Sequence, residues 1–229
     1  AFSTIVNIYQ NITGHMSTNA PNTNKLVEES YDKIATEYLD WTLSTPSPRL
    51  EYLAILHKNL PDPEKARLLE LGCGAGVPGT QFLAKSFEHV IGVDISSAQV
   101  ELAREHVKEG SSEFIQSDML ALEFEKGTFD AVVGLYSILH LTKADQPVLM
   151  EKIRGWLKPG GYFVGNFALT GMEATSTWLG GEKMFWGGWE KEEWLGKMKN
   201  GGFEVLQENV VTDVEDGRDV NFLWVLAKV

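Results

Sequence analysis

The chain has 229 residues, 43% hydrophobic and 23% charged, and a formal charge of −12 from 20 basic against 32 acidic residues. That composition excludes a disordered chain, and an acidic chain with no basic stripe is poorly suited to hold a phosphate backbone, so no nucleic-acid partner is expected. One cysteine, Cys73, excludes an internal disulfide framework and fits a reducing, cytoplasmic compartment, and no apolar run reaches membrane-spanning length, so no membrane partner is expected either.

Ala1 to Thr13 has no basic start and no signal-peptide layout, and Gly14-His15-Met16 looks like a cloning scar. Residues 1–16 are therefore expected to be a tag or foreign leader, and 17–229 one domain. From Asn24 to Tyr38 apolar residues recur at helical steps (Leu26, Val27, Ile34, Tyr38). The run "STPSP", Ser44 to Pro48, ends that helix, and a second spans Arg49 to Asn59 before "LPDPEK" breaks the chain again. Residues 17–62 thus read as an N-terminal helical cap.

The pattern then alternates. Arg67–Leu71 reads as a buried strand, Gly76–Ser86 as a helix, His89–Asp94 as a strand, and Ser97–Glu109 as a helix opened by a serine cap. Glu113–Gln116 is a short strand and Phe129–Tyr136 an apolar one. Lys143–Leu157 is a helix stopped by "KPGG", and Gly161–Leu169 a strand. Strands alternating with helices imply right-handed crossovers and a parallel sheet covered on both faces. A helix near Trp189–Lys199 follows. Then two β-rich runs, Phe203–Val211 and Val220–Val229, have no helix between them and should pair as an antiparallel hairpin. The expected fold is α/β: a doubly wound, mostly parallel seven-stranded sheet with an antiparallel last strand, helices on both faces and an N-terminal helical cap.

The loop after the first strand, "ELGCGAGVPG", carries four glycines where backbone N–H groups and a helix dipole point outward together. Gly74 to Gly79 also satisfies the dinucleotide pattern G-x-G-x-x-G, with Asp94 at the distance expected for a ribose contact. Glu70, two residues before Gly72, makes the pattern acidic-x-Gly-x-Gly-x-Gly. That pattern resembles the first motif of the Rossmann-like (class I) S-adenosylmethionine-dependent methyltransferases. The resemblance extends through "VIGVDIS", "FIQSDML", "FDAVVGLYSILHL" and "LKPGGYF", and covers roughly Lys25 to Val229.

The resemblance implies S-adenosylmethionine as cofactor, a small-molecule methyl acceptor and an in-line displacement. It places Glu70, Gly72, Cys73, Gly74, Gly76, Asp94, Ile95, Asp118, Met119 and Tyr136 at the cofactor. Asp94 is expected at the ribose diol, Asp118 at the adenine amino group, Ile95 and Met119 on the ring faces, and the Cys73 thiol as packing. Tyr31 and His140 are candidates for catalysis, each with a packing role as the alternative. Tyr38, Trp41, Phe185 and Trp186 are candidates for the acceptor.

Gly171 to Trp194 holds four of the seven tryptophans among five glycines, and reads as a lid loop. Trp194 reads as a helix–sheet contact. No metal site is expected, because no His/Cys/Asp/Glu cluster has ligand spacing. A nicotinamide-dependent oxidoreductase and a protein methyltransferase stay open as alternatives, as does the oligomeric state.

Overall fold

The computed structural model describes residues 22–215 and 217–229; the expected leader lies outside them. Asn22 accepts from the Lys25 N–H and so opens helix α1 (Thr23–Ser44), which runs six residues past Tyr38 to include Trp41. Helix α2 (Arg49–Asn59) follows. The alternating part then forms β1 (Arg67–Leu71), α3 (Gly79–Ser86), β2 (His89–Asp94), α4 (Ser97–His106) and β3 (Ser112–Gln116). It continues as β4 (Phe129–Gly134), α5 (Asp145–Trp156) and β5 (Leu157–Ala168). The remainder is β6 (Glu173–Thr177), β7 (Lys183–Gly187), α6 (Lys191–Asn200), β8 (Glu204–Glu215) and β9 (Arg218–Lys228).

Seven strands make one sheet in the order β3-β2-β1-β4-β5-β9-β8. The first five are parallel, and β9 is antiparallel to both β5 and β8. The expected fold class therefore holds, including the C-terminal hairpin. Period-two alternation puts Phe222, Trp224 and Leu226 of β9 in a core under α2 and α3, and Leu223, Val225 and Ala227 in a core under α5 and α6. Trp194 is buried and stacks on Phe167 at 3.8 Å, the helix–sheet contact read from its position.

Two elements differ from expectation. "KPGG" does not precede β5 but lies within it: Leu157 pairs with Phe129 and Tyr162 with Ala131, so the sheet absorbs the turn as a register irregularity. The segment read as a lid loop is instead a second sheet, β6–β7, in register from Glu173↔Gly187 to Thr177↔Lys183. Its strands are too short and too rich in Ser, Thr and Gly for a periodicity test. The hairpin is tied to α1: Ser30 Oγ donates to the Lys183 carbonyl at 2.7 Å, and Lys33 pairs with Glu182 at 2.9 Å.

Candidate active site

The carboxyl ends of β1, β2 and β3 put Glu70, Asp94 and Asp118 along one side of a cavity that opens to solvent, beside the point where strand order reverses between β1 and β4. The glycine loop forms the floor, and its glycines do different things. A Cβ on Gly72 would sit 2.3 Å from Ser137 Cβ, and one on Gly76 would sit 2.6 Å from Val107 Cγ2. Those two let the loop pack against the protein. Gly74 has φ +53°, and a Cβ there would meet nothing closer than 3.8 Å, with Tyr38 and Gln99 the nearest groups. Its open face is turned to the cavity.

Asp94 shapes this floor. Its Oδ2 accepts from the Gly74 N–H at 2.9 Å and its Oδ1 from the Ser96 N–H at 3.0 Å. The helix cap is Ser96, whose Oγ accepts from the Gln99 N–H, so Asp94 is not the cap. Burial is the main force raising its pKa to about 6, offset in part by those backbone N–H groups. Glu70 is buried too and accepts from Thr80 Oγ1 at 2.6 Å; burial raises it to about 7 against that bond and the nearby Arg49 charge. Cys73 lines the cavity, and burial holds its thiol protonated. Ile95 and Met119 lie on the lining near Asp118. Asp118 already accepts from Asn24 Nδ2 at 2.6 Å and from the Leu120 N–H at 2.8 Å.

Helix α1 is the roof. Besides the Asn24–Asp118 bond, Asp32 Oδ1 accepts from Ser96 Oγ at 2.6 Å and the Ala98 N–H at 3.1 Å, capping α4 from across the cavity. On the preceding residue, Tyr31 Oη lies 2.9 Å from His140 Nε2. His140 Nδ1 lies 2.8 Å from the Phe185 carbonyl, which can only accept, so Nδ1 carries the ring proton and Nε2 accepts from Tyr31. Burial lowers the His140 pKa to about 4, and the ring is neutral at pH 7. The two residues named as catalytic candidates are thus joined as one pair on the cavity wall.

The acceptor candidates divide. Tyr38 and Trp41 stack at 5.8 Å and, with Trp186, ring a small cavity that shares Tyr31, Tyr38, Tyr136 and His140 with the large one. A third cavity shares Trp178, Trp186 and Phe222 with the second and lies beneath the β6–β7 hairpin. Phe185 enters only through its carbonyl. Its ring belongs to the buried cluster that holds Val27, Ile34 and Met184, and it lines none of the three cavities. Tyr136, at φ +53°, presents its ring to the cavity while its hydroxyl donates to Asp213 at 2.6 Å.

Four residues escaped the sequence reading. Arg49 is buried on the cavity lining, its guanidinium 4.3 Å from the Tyr136 ring centre, and it forms no ion pair among the described residues. Thr42 Oγ1 and both amide atoms of Gln99 are buried on the same lining without a hydrogen-bond partner. Arg49 begins a helix with little sequence character, and nothing in "RLEYLAILHKN" marks one basic residue as turned inward. Trp178 sits at the centre of the aromatic group, within 6.2 Å of Tyr31, Tyr38, Trp41 and Trp186.

Residues 68–161 match the family model described as a methyltransferase domain. The chain is 36% identical over 98 residues to phosphoethanolamine N-methyltransferase 3 of Arabidopsis thaliana, which covers 42% of this chain and 19% of that protein. It therefore spans about a fifth of the length of the plant relatives that it matches. Among solved structures, the fold is similar to 1,6-didemethyltoxoflavin-N1-methyltransferase of Burkholderia thailandensis, with TM-score 0.69, 18% identity, and coverage of 93% of this chain and 92% of that one. It is also similar to the [4+2]-cyclase SpnF, with TM-score 0.70, 17% identity, and coverage of 91% and 97%.

Proposed function

The chain belongs to the class I, Rossmann-like S-adenosylmethionine-dependent methyltransferases, and on that premise we propose that it transfers a methyl group to an O, N or S atom of a small organic molecule. One observation carries the reading. A single cavity gathers the open face of Gly74, three carboxylates at adjacent strand ends, and the buried, partnerless Thr42 Oγ1 and Gln99 amide. Buried polar groups without partners cost about 1–3 kcal/mol each, so a cavity that keeps them is matched to a polar ligand.

The donor set fits S-adenosylmethionine. Arg49 and Thr42 would hold its carboxylate, Asp94 and Gln99 the ribose hydroxyls, and Asp118 the adenine amino group, with Ile95 and Met119 against the ring. When bound, it supplies an electrophilic methyl on a sulfonium and leaves as a neutral thioether. The protein's own part is alignment and proton handling. The closed roof of α1 and the β6–β7 hairpin, acting as a lid, exclude water from the Tyr31–His140 wall. Alignment of this kind supplies roughly 7–11 kcal/mol.

Tyr31 Oη can take the acceptor's proton while passing its own to His140 Nε2. With a pKa of about 4, a free-standing imidazolium at pH 7 would be about 4 kcal/mol uphill (three units at 1.36 each). The pair therefore acts as a weak acceptor in concert with transfer, and suits nucleophiles that lose a proton readily.

The test is titration calorimetry with S-adenosylmethionine and with NAD, followed by mass-spectrometric detection of methylated products across an acceptor panel. Binding of S-adenosylmethionine with a methylated product supports the proposal. NAD binding in its place supports the oxidoreductase alternative. Cofactor binding without any methylated product would point to a non-methylating use of the fold, and the SpnF likeness makes that outcome worth scoring.

A further inference from the structure

Arg49 is a buried charge without a charged partner. It is 8% exposed and lines the main cavity. Among the described residues no carboxylate lies within ion-pair distance of its guanidinium, and no side-chain N–H of it finds an acceptor. Glu70 lies near enough to feel the charge, yet its carboxylate is bonded to Thr80 Oγ1. What supports the guanidinium is the face of Tyr136, whose ring centre is 4.3 Å from Arg49 Cζ. A ring face offsets a buried cation without supplying the paired acceptors of a carboxylate, so the planar fork of N–H donors is left for an anion from outside.

Tyr136 is itself fixed at both ends. Its backbone sits at φ +53°, where L residues are strained, and its N–H donates to the buried Asn166 Oδ1 at 2.6 Å. Its ring meets Phe222 and Trp224 edge-on at 5.2 and 5.4 Å. Its hydroxyl donates to Asp213 Oδ2 at 2.6 Å. Asp213 comes from β8, the edge of the sheet opposite β3. Alternation puts it on the face that carries Val211 toward the core under α2, and it is buried there.

We propose that Tyr136 and Asp213 are positioning residues for cofactor recognition: Asp213 tethers the phenol, the ring face sets the Arg49 guanidinium, and Arg49 selects a cofactor that bears a carboxylate. This rests on the methyl-transfer reading above, which puts the cofactor's amino-acid end at Arg49. An arginine paired with a protein acid would have to give up that partner before taking a ligand. The ring keeps Arg49 ordered and unpaired at once. The tether spans 77 residues, so a site built at the ends of β1, β2 and β3 has its charge selectivity set from the far edge of the sheet.

The experiment is titration calorimetry with S-adenosylmethionine and with decarboxylated S-adenosylmethionine, which differ only in the carboxylate. The ratio of the two affinities reports carboxylate recognition, and it does not depend on how much of a variant is folded. The wild type should bind S-adenosylmethionine about 10-fold or more tighter. Arg49→Gln should make the two affinities equal, with the decarboxylated ligand bound as before. Tyr136→Leu, which removes the ring, should lower the ratio by about 5-fold. Tyr136→Phe, which keeps the ring and removes its tether, should lower it by about 2- to 3-fold. Asp213→Ala should match Tyr136→Phe. Asp213→Asn, whose amide oxygen still accepts from the phenol, should stay within about 1.5-fold of the wild type.

A ratio unmoved by both Tyr136 variants would overturn the positioning role, even if both affinities fell together, the mark of a ring that merely packs. Asp213→Asn falling as far as Asp213→Ala would overturn the tether. If both ligands bind the wild type equally, Arg49 recognises no carboxylate and the proposal falls while the cofactor reading stands. If neither ligand binds, the methyl-transfer reading falls and the proposal falls with it.

Discussion

His140 can be tested without knowing the acceptor. Its ring is buried and its pKa lies at about 4, against 6.5 for an unperturbed imidazole. Above pH 6.5 both the folded and unfolded rings are neutral, and ionisation contributes nothing to stability. Below it, the unfolded ring takes up a proton that the folded ring refuses. The free energy of unfolding then falls by about 1.36 kcal/mol per pH unit until the folded ring titrates near pH 4. Over 2.5 units the loss is about 3.4 kcal/mol.

Two carboxylates act in the opposite sense. Glu70, raised from 4.5 to about 7, and Asp94, raised from 3.8 to about 6, hold protons in the folded state through those windows, so each lowers stability as pH rises. Both persist in His140→Asn and cancel in the difference. Urea unfolding of the wild type and His140→Asn, followed by circular dichroism from about pH 7 down to about pH 4.5, should give a difference that changes by about 1.4 kcal/mol per unit, with the wild type losing ground as pH falls. A flat difference would mean that the folded ring protonates like a solvated one. The neutral acceptor for Tyr31 would then be lost as an explanation of the site.

Gly74→Ala should cost roughly 1–2 kcal/mol of stability from its positive φ and reduce S-adenosylmethionine affinity at least 10-fold. Gly72→Ala should instead show its larger effect in melting temperature, because its Cβ collides with Ser137; calorimetry and thermal melts on the pair would separate floor from packing, and the reverse pattern would exchange their roles. Asp94→Asn should be no milder than Asp94→Ala, since each oxygen faces a backbone N–H and the amide NH₂ must oppose one of them; a loss of cofactor affinity below a few tenths of a kcal/mol would remove Asp94 from the site. Trp186→Ala should leave S-adenosylmethionine affinity nearly intact and lower kcat/KM for the acceptor by roughly 10–100-fold. Equal losses in both would move Trp186 into the cofactor site.

The sheet was readable because alternation of strand and helix is local: "RLLEL" or "FDAVVG" carries its burial in consecutive letters, and the crossover rule orders the strands. The acidic strand ends and the glycine loop were readable for the same reason. Contacts across the fold were not. Nothing local joins Tyr31 to His140, 109 residues later, or Asn24 to Asp118, 94 residues later. Asp94 was read as a ligand contact, and its hold on the Gly74 N–H is a turn geometry that letters do not display. The β6–β7 hairpin was hidden by glycine and hydroxyl residues, which mark turns more strongly than short strands.

The same long reach bears on how the molecule is made. On a ribosome, α1 emerges ahead of every strand of the sheet, yet each of its partners is still unmade. Asp32 waits 64 residues for Ser96, Tyr31 waits for His140, and Ser30 waits 153 residues for Lys183. An isolated helix of 22 residues with few apolar contacts is marginal in water. Nascent α1 therefore spends most of translation unlatched, and the sheet assembles beneath it by short crossovers that close early. Of the described helices α1 is the first made, and the roof it forms is latched at all of these points only once Lys183 has emerged.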